Sequence, residues 1–349
     1  MGKLTERLDA EAFICAEGYL FELERRGYLQ AGSFVPEVVL ENPEVLAQLH
    51  REFLRAGSDA MVAFTYYGHR EKLRIIGKED LLEPLQKNAL LLAKQAAAED
   101  KSGRTLVAGN ICNTNVYFPD DKQSHNEVRK MFAEQVAWAA DAGVDFILVE
   151  TLSWLGEGLI ALEEAKKAGV DVVVNVITHS TGLLREGIPP EEACKQLEDA
   201  GADVVGMNCC RGPATMLPQL KDIRAAVSGH VAGIPVTFRT SAEMPSFQSI
   251  KDPCGEHHLP EGMRAFPAAL DAFTCTRYEM AAFARECFDN NIRMVGVCCG
   301  GGPHHVRAIA EELGRQTEAS RYSPDMSKHY AMGTDPSLKS ENQKFLDNL

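Results

Sequence analysis

A phrase that recurs four times constrains this chain more than any other feature. It reads RAGSDAMVAF from Arg55, DAGVDFILVE from Asp141, KAGVDVVVNV from Lys167 and DAGADVVGMN from Asp199. Each copy joins a helix end, a glycine suited to a left-handed cap, and a run rich in β-branched or apolar residues. The runs are nearly continuous in apolar residues, as strands covered on both faces of a parallel sheet are. Strands alternating with helical segments imply βα units.

Extending the pattern gives eight strand candidates, beginning near Phe13, Met61, Leu106, Phe146, Val172, Val204, Pro235 and Met294. Helical segments fill most of the intervals. Ser124 and Glu127 have capping-box spacing, Pro190 opens an acidic first turn, and Pro303 begins another helix. Eight units predict an α/β fold, a (β/α)8 TIM barrel, because an open doubly wound sheet seldom holds so many. The barrel is expected over residues 1–318, with a C-terminal extension at 319–349. Residues 241–266, rich in Pro, Gly, His and charge, are expected to loop over one end. The extension is polar and aperiodic, which suits either a solvated tail or an arm that orders against a second subunit. With the arm, a homo-oligomer is expected.

Composition narrows the setting. The 349 residues are 45% hydrophobic and 25% charged, enough for a core without disulfide staples. A net charge of −14 argues against a nucleic-acid partner, which needs a basic face. The N-terminus lacks the apolar run of a secretory signal, and no stretch has the length and apolarity of a membrane span. Ten cysteines in so long a chain are too sparse for a secreted disulfide framework. Reduced thiols in a cytoplasmic enzyme are expected.

In such barrels chemistry gathers at the C-terminal ends of strands. Strand six ends in Asn208-Cys209-Cys210-Arg211-Gly212, and strand eight in Cys298-Cys299-Gly300-Gly301-Gly302-Pro303. Three or four thiols therefore converge on one rim. Cys15, Cys112, Cys194, Cys254, Cys275 and Cys287 occur singly and are expected to pack, as free cysteines do. In a regular strand Cys298 and Cys299 would face opposite ways, but the three glycines permit a turn that brings both sulfurs to one ion. Three thiolates with an open fourth position suit catalytic zinc. Redox and packing roles remain open at this point. Glu150, at the end of strand four, is costly to bury unless paired.

The segments NCC and VGVCCGGGPHHVRAIAEEL resemble the signature of the homocysteine S-methyltransferase family. FELERRGYLQAGSFVPE, HREFLRAGSD, FTYY and YSPDMSK are similar to its betaine–homocysteine branch. The resemblance covers nearly the whole chain. It implies a TIM-barrel enzyme with Zn2+ on Cys209, Cys298 and Cys299, and no ligand role for Cys210. It further implies methyl transfer from betaine, or a related onium donor, to homocysteine, giving methionine and dimethylglycine. A sulfonium donor such as S-methylmethionine or dimethylsulfoniopropionate is the alternative. Another class of reading is a non-catalytic barrel with a structural or redox zinc–thiolate site. By resemblance Glu150 holds the acceptor's amino group, Phe34, Tyr66 and Tyr67 surround the donor, and Asn208 braces the ligands. Aromatic faces suit a quaternary ammonium, which has no hydrogen to donate. His304 and His305 are assigned to a helix start. The sequence departs from the family where Asp-Gly-Gly is usual: Ala16-Glu17-Gly18 stands there. A threonine is missing at Ala63, and Thr151 replaces a tyrosine. Either Glu17 and Gly18 form a rearranged turn that still reaches the amine, or Glu150 holds it alone.

Overall fold

The computed structural model describes residues 2–252, 259 and 263–345. Among these, eight parallel strands close into a barrel in sequence order. They are β1 (Phe13–Ala16), β2 (Ala60–Val62), β3 (Leu106–Cys112), β4 (Phe146–Leu152), β5 (Asp171–Val176), β6 (Val204–Asn208), β7 (His230–Ile234) and β8 (Met294–Val297). Closure comes from β1 beside β8, with Phe13 opposite Met294 and Ala16 opposite Val297. Helices such as Pro43–Ala56, Leu82–Ala97, Lys122–Ala142 and Pro303–Glu312 surround it. The TIM-barrel expectation holds.

The repeated phrase does what its residues dictate. Gly57, Gly143, Gly169 and Gly201 have φ of 110°, 68°, 70° and 96°, the left-handed region where glycine carries no Cβ penalty. The aspartate that follows in three copies ties neighbouring strands together. Asp59 Oδ2 accepts from Ile14 N at 2.7 Å, Asp145 Oδ2 from Val107 N at 2.8 Å, and Asp203 Oδ2 from Val172 N at 2.8 Å. The fourth, Asp171, accepts from Leu4 N and Thr5 N at 2.9 and 3.0 Å. That carboxylate sits at the start of the helix Lys3–Ala10, where backbone N–H groups lack partners. Leu4 and Leu8 of this helix are buried in the core.

Two sequence expectations are corrected. The seventh strand lies five residues earlier than the PVTF run. Pro235 has no N–H to donate to a ladder, so HVAGI pairs and PVTF crosses the rim. There Val236 N donates to Arg211 O and Thr237 N to Cys299 O. The helix expected to start at Ser124 starts at Lys122, with Asp121 as its cap accepting from Gln123 N at 2.9 Å. Ser124 instead donates back to Asp121 O at 2.7 Å. Helices do begin at Pro190 and Pro303, and His305 sits in the latter's first turn, its Nδ1 accepting from Gly302 N.

Residues 241–252 run as loop with one short turn of 3-10 helix, Phe247–Ser249. Cys254 and much of the expected 241–266 loop lie outside the described residues. The segment after 318 forms short turns, Glu318–Tyr322 and Met326–Lys328, and a helix Ser340–Phe345.

Candidate active site

The chain leaves β6 and β8 by abrupt turns, and those turns assemble the thiols. Cys209 and Cys210 both have left-handed backbones, with φ of 54° and 56°. After β8 the chain reverses through Gly300, at φ 83°, where a Cβ would lie 2.5 Å from the Phe238 ring. Cys298 and Cys299 thus fall beyond the strand, free of its alternation. Cys209 Sγ lies 3.7 Å from Cys299 Sγ, and Cys298 Sγ lies 4.0 Å from Cys299 Sγ. All three sulfurs lie within 4.8 Å of one another, the one such cluster of potential metal ligands among the described residues. Cys210 points elsewhere, 3.9 Å from His179 Nδ1 and 3.5 Å from Gln248 Nε2. Cys15, Cys112, Cys194, Cys275 and Cys287 are buried single thiols, as expected.

Three sulfurs bound to one tetrahedral zinc at about 2.3 Å stand roughly 3.8 Å apart, so the trio fits that ion. Its electrostatics agree. Hydrogen bonds from Cys209 and Cys299 pull the Cys298 thiol well below its ordinary range. Cys209 is pushed well up by the neighbouring thiols of Cys210, Cys298 and Cys299 and by burial. The protein alone favours one thiolate among the three. Three thiolates together call for a cation.

Beside the sulfurs a buried polar layer lies across the barrel. Glu150 Oε1 accepts from Asn110 Nδ2 at 2.6 Å, and Oε2 from Asn208 Nδ2 at 2.7 Å. Asn208 Oδ1 accepts from Thr151 N at 2.8 Å, and its Nδ2 stands 3.9 Å from Cys298 Sγ. Asn208 therefore links the carboxylate to the thiol cluster. Glu17 reaches the same layer despite its shifted position. It is buried, its Oε1 accepts from Cys15 Sγ at 3.7 Å, and its Oε2 has no partner. Glu17 and Glu150 line the same pocket; burial, then the Glu150 carboxylate, pushes Glu17 well above the carboxylate range. Burial raises Glu150 as well. Two carboxyls so placed retain a proton between them until a cation replaces it.

Gly18 turns the chain into the helix Tyr19–Arg25 and packs against the glycine run, where an added Cβ would lie 1.7 Å from Gly301 O. The deep pocket between these groups is lined by Glu17, Tyr19, Leu20, Ala63, Tyr66, Asn110, Glu150 and the three cysteines, among others. Above it opens a cavity of about 220 Å³ lined by Phe21, Phe34, Tyr66, Tyr67, Phe247 and Phe266, with Cys209 and Cys299 at its floor. Tyr66 and Tyr67 pack with ring centroids 4.3 Å apart and planes inclined at 46°, and Phe34 packs 5.9 Å from Phe21. Burial pushes the Tyr67 hydroxyl up to about 12, so it stays neutral. All ten residues singled out from the sequence thus sit at the barrel's C-terminal end. Sequence reasoning missed Asn110, an amide inside the apolar run LVAGNIC, and the loop rings Phe247 and Phe266.

Comparison with known proteins decides the family. The family model for homocysteine S-methyltransferase matches residues 17–313. The chain belongs to the homocysteine S-methyltransferase family. It is 34% identical over 344 residues to betaine–homocysteine S-methyltransferase 1 of Mus musculus, covering 95% of this chain and 79% of that one. It is also 33% identical over 340 residues to an S-methylmethionine–homocysteine S-methyltransferase of Pongo abelii, covering 95% and 86%. The homocysteine methyltransferase MmuM of Escherichia coli, in its metallated form, shares the fold: TM-score 0.67, 20% identity, 88% of this chain and 98% of that one. The chain is an S-methyltransferase, and the reading as a non-catalytic barrel is set aside. Among the described residues no helix is long and apolar enough to cross a membrane.

Proposed function

We propose that this family member transfers a methyl group from betaine, or a related onium donor, to the thiol of homocysteine, using zinc held by Cys209, Cys298 and Cys299. The observation that carries the reading is the sulfur trio at the junction of an acidic pocket and an aromatic one. Zinc there would supply Lewis acidity that favours the thiolate form of an acceptor sulfur near neutral pH.

The protein's own residues do the rest. Glu17 and Glu150 take the acceptor's ammonium, which replaces their shared proton. Asn110 and Asn208 fix the Glu150 carboxylate, and Asn208 holds it in register with the cysteines. Tyr66, Tyr67 and Phe34 present π faces to the onium and exclude water. Gly18 lets the glycine run approach. The acceptor sulfur displaces the donor's neutral amine from the methyl carbon, and the thiol proton leaves to solvent. Zinc-loaded protein given homocysteine and betaine should form methionine and dimethylglycine in equal amounts. Absence of methionine with betaine overturns the betaine version. S-methylmethionine and dimethylsulfoniopropionate in the same assay separate the sulfonium alternative, which the Pongo abelii relative supports.

We read residues 1–318 as the barrel and 319–349 as an arm for a homo-oligomer. Exposed Tyr322, Met326, Tyr330 and Met332 support that reading. The reduced thiols support a cytoplasmic setting.

A further inference from the structure

The two halves of the site differ in charge. The deep pocket holds both carboxyls, Glu17 and Glu150. Among the described residues, the outer, aromatic cavity has no carboxylate in its lining, and Arg185 is its one permanently charged group. Arg185 also lines an adjoining cavity of about 130 Å³. Its guanidinium stands 5.6 Å from the Trp154 ring and makes no ion pair within 4.0 Å among the described residues. The nearest counter-charge in the adjoining cavity is Glu157, whose carboxylate accepts from Thr114 and feels the Arg185 charge from farther off. Surface arginines of this chain are otherwise commonly paired, as Arg239 is with Glu279 and Arg70 with Glu134.

The loop that carries Arg185 is held in place. Arg185 N donates to Ser153 O at 2.9 Å, and Leu184 N to Ile188 O at 2.9 Å. The adjacent Glu186 turns its Oε1 to Gly156 N at 3.1 Å and makes no ion pair with Arg185, although its Oε2 is buried without a hydrogen-bond partner. Asn115 lines both cavities too. Its Oδ1 accepts from Asn113 Nδ2 at 3.1 Å, which leaves its Nδ2 as a donor without a protein partner among the described residues.

We propose that Arg185 anchors a carboxylate on the methyl donor, so that the donor is an onium carboxylate with its charges at opposite ends. This rests on the methyl-transfer reading and adds the donor's second recognition point. The aromatic rings take the onium near the sulfurs, and the guanidinium takes the anion at the mouth. A planar fork suits a carboxylate, and stacking on Trp154 orients it. The acceptor's own carboxylate is the competing occupant. The donor is favoured because Arg185 lines the aromatic cavity and not the pocket that holds the carboxyl pair.

The test compares Arg185→Ala and Arg185→Lys with the wild type in two ways. Calorimetry measures binding of 3,3-dimethylbutanoate, a carboxylate with a tert-butyl head, against 3,3-dimethylbutan-1-ol, which lacks the charge. Kinetics with the zinc-loaded enzyme compare betaine and dimethylsulfonioacetate with trimethylsulfonium. Arg185→Ala should lower the carboxylate-over-uncharged affinity ratio about tenfold, the size of one exposed charge-assisted hydrogen bond. The loss should fall on the donor KM, and lysine should recover part of it because charge remains without the fork. Equal losses with and without the carboxylate would show a packing role and overturn the proposal. A rise in the acceptor KM alone would reassign Arg185 to the acceptor's carboxylate and overturn it equally. If the wild type methylates nothing, the methyl-transfer reading fails, while the calorimetric ratio still decides the anion anchor.

Discussion

Gly18→Ala tests whether the sulfur cluster is positioned by backbone packing. Gly18 touches no thiol, and its φ of −72° is open to any residue, so the substitution brings no dihedral strain. What it brings is a methyl 1.7 Å from Gly301 O and 2.7 Å from Gly301 C. Contacts of a real Cβ almost never fall below about 3.0 Å, so the glycine run or the start of the Tyr19–Arg25 helix must move by more than about 1 Å. Gly301 N donates to Cys298 O at 2.9 Å, so the movement is passed directly to a cysteine. Overpacking of this kind costs about 1–3 kcal/mol. An ångström of misplacement at a reacting centre costs about a hundredfold in rate. The purified variant should keep its circular dichroism and melt several degrees lower. It should bind zinc at least about tenfold more weakly by competition with a chromogenic chelator. Wild-type zinc affinity and turnover in a folded Gly18→Ala variant would refute the reasoning, since the sulfurs would then owe their positions to something else.

Further outcomes follow from the same geometry. Cys209→Ser should lose more than about a hundredfold in zinc affinity, while Cys210→Ser should bind one zinc per chain; metal analysis after dialysis distinguishes them. Glu17→Gln should weaken acceptor binding about tenfold by isothermal titration, because one of two carboxyls facing the ammonium is gone. The same variant has a pH signature. Glu17 has a folded pKa above its unfolded one, so the folded chain holds the extra proton and loses stability as pH rises from the ordinary carboxylate range through the raised value. Melting curves of metal-free Glu17→Gln should therefore fall less over that window than those of the wild type. Asp59→Ala removes the acceptor of Ile14 N and the partner of Arg7 and Arg315 at the opposite end of the barrel. It should cost about 2–4 kcal/mol in urea unfolding and leave the zinc affinity unchanged.

Much of the architecture was legible because the repeat carries it. A glycine at a helix end followed by a two-face apolar run has few other ways to fold, and seven of eight strands fall on or within a residue or two of where the pattern puts them. The seventh did not, because HVAGIPVTF is apolar throughout and periodicity cannot say which side of Pro235 pairs. The repeat's aspartates were visible as letters, but their bonds to the backbone of neighbouring strands depend on register, which a sequence does not show. The site divides the same way. The cysteines could be placed at strand ends, yet the choice of Cys209 over Cys210 turns on two consecutive left-handed residues. Glu17 looked displaced by one position. It reaches Glu150 because β1 has already ended at Ala16 and the strict alternation of a strand no longer applies.

Those left-handed residues have a consequence for anyone seeking to make the protein hardier. Among the described residues, seven that are not glycine have positive φ, and six of them, Phe34, Tyr67, Asn115, Thr151, Cys209 and Cys210, line the one aromatic cavity. Each such conformation costs about 1–2 kcal/mol against a relaxed backbone. A thermostability screen would be drawn to these positions, since glycine at any of them relieves the backbone. Each gain made there would erase a side chain from the cavity wall. Variants that gain heat resistance without losing turnover should therefore carry their changes away from that wall, on the outer helices or at the closed end of the barrel.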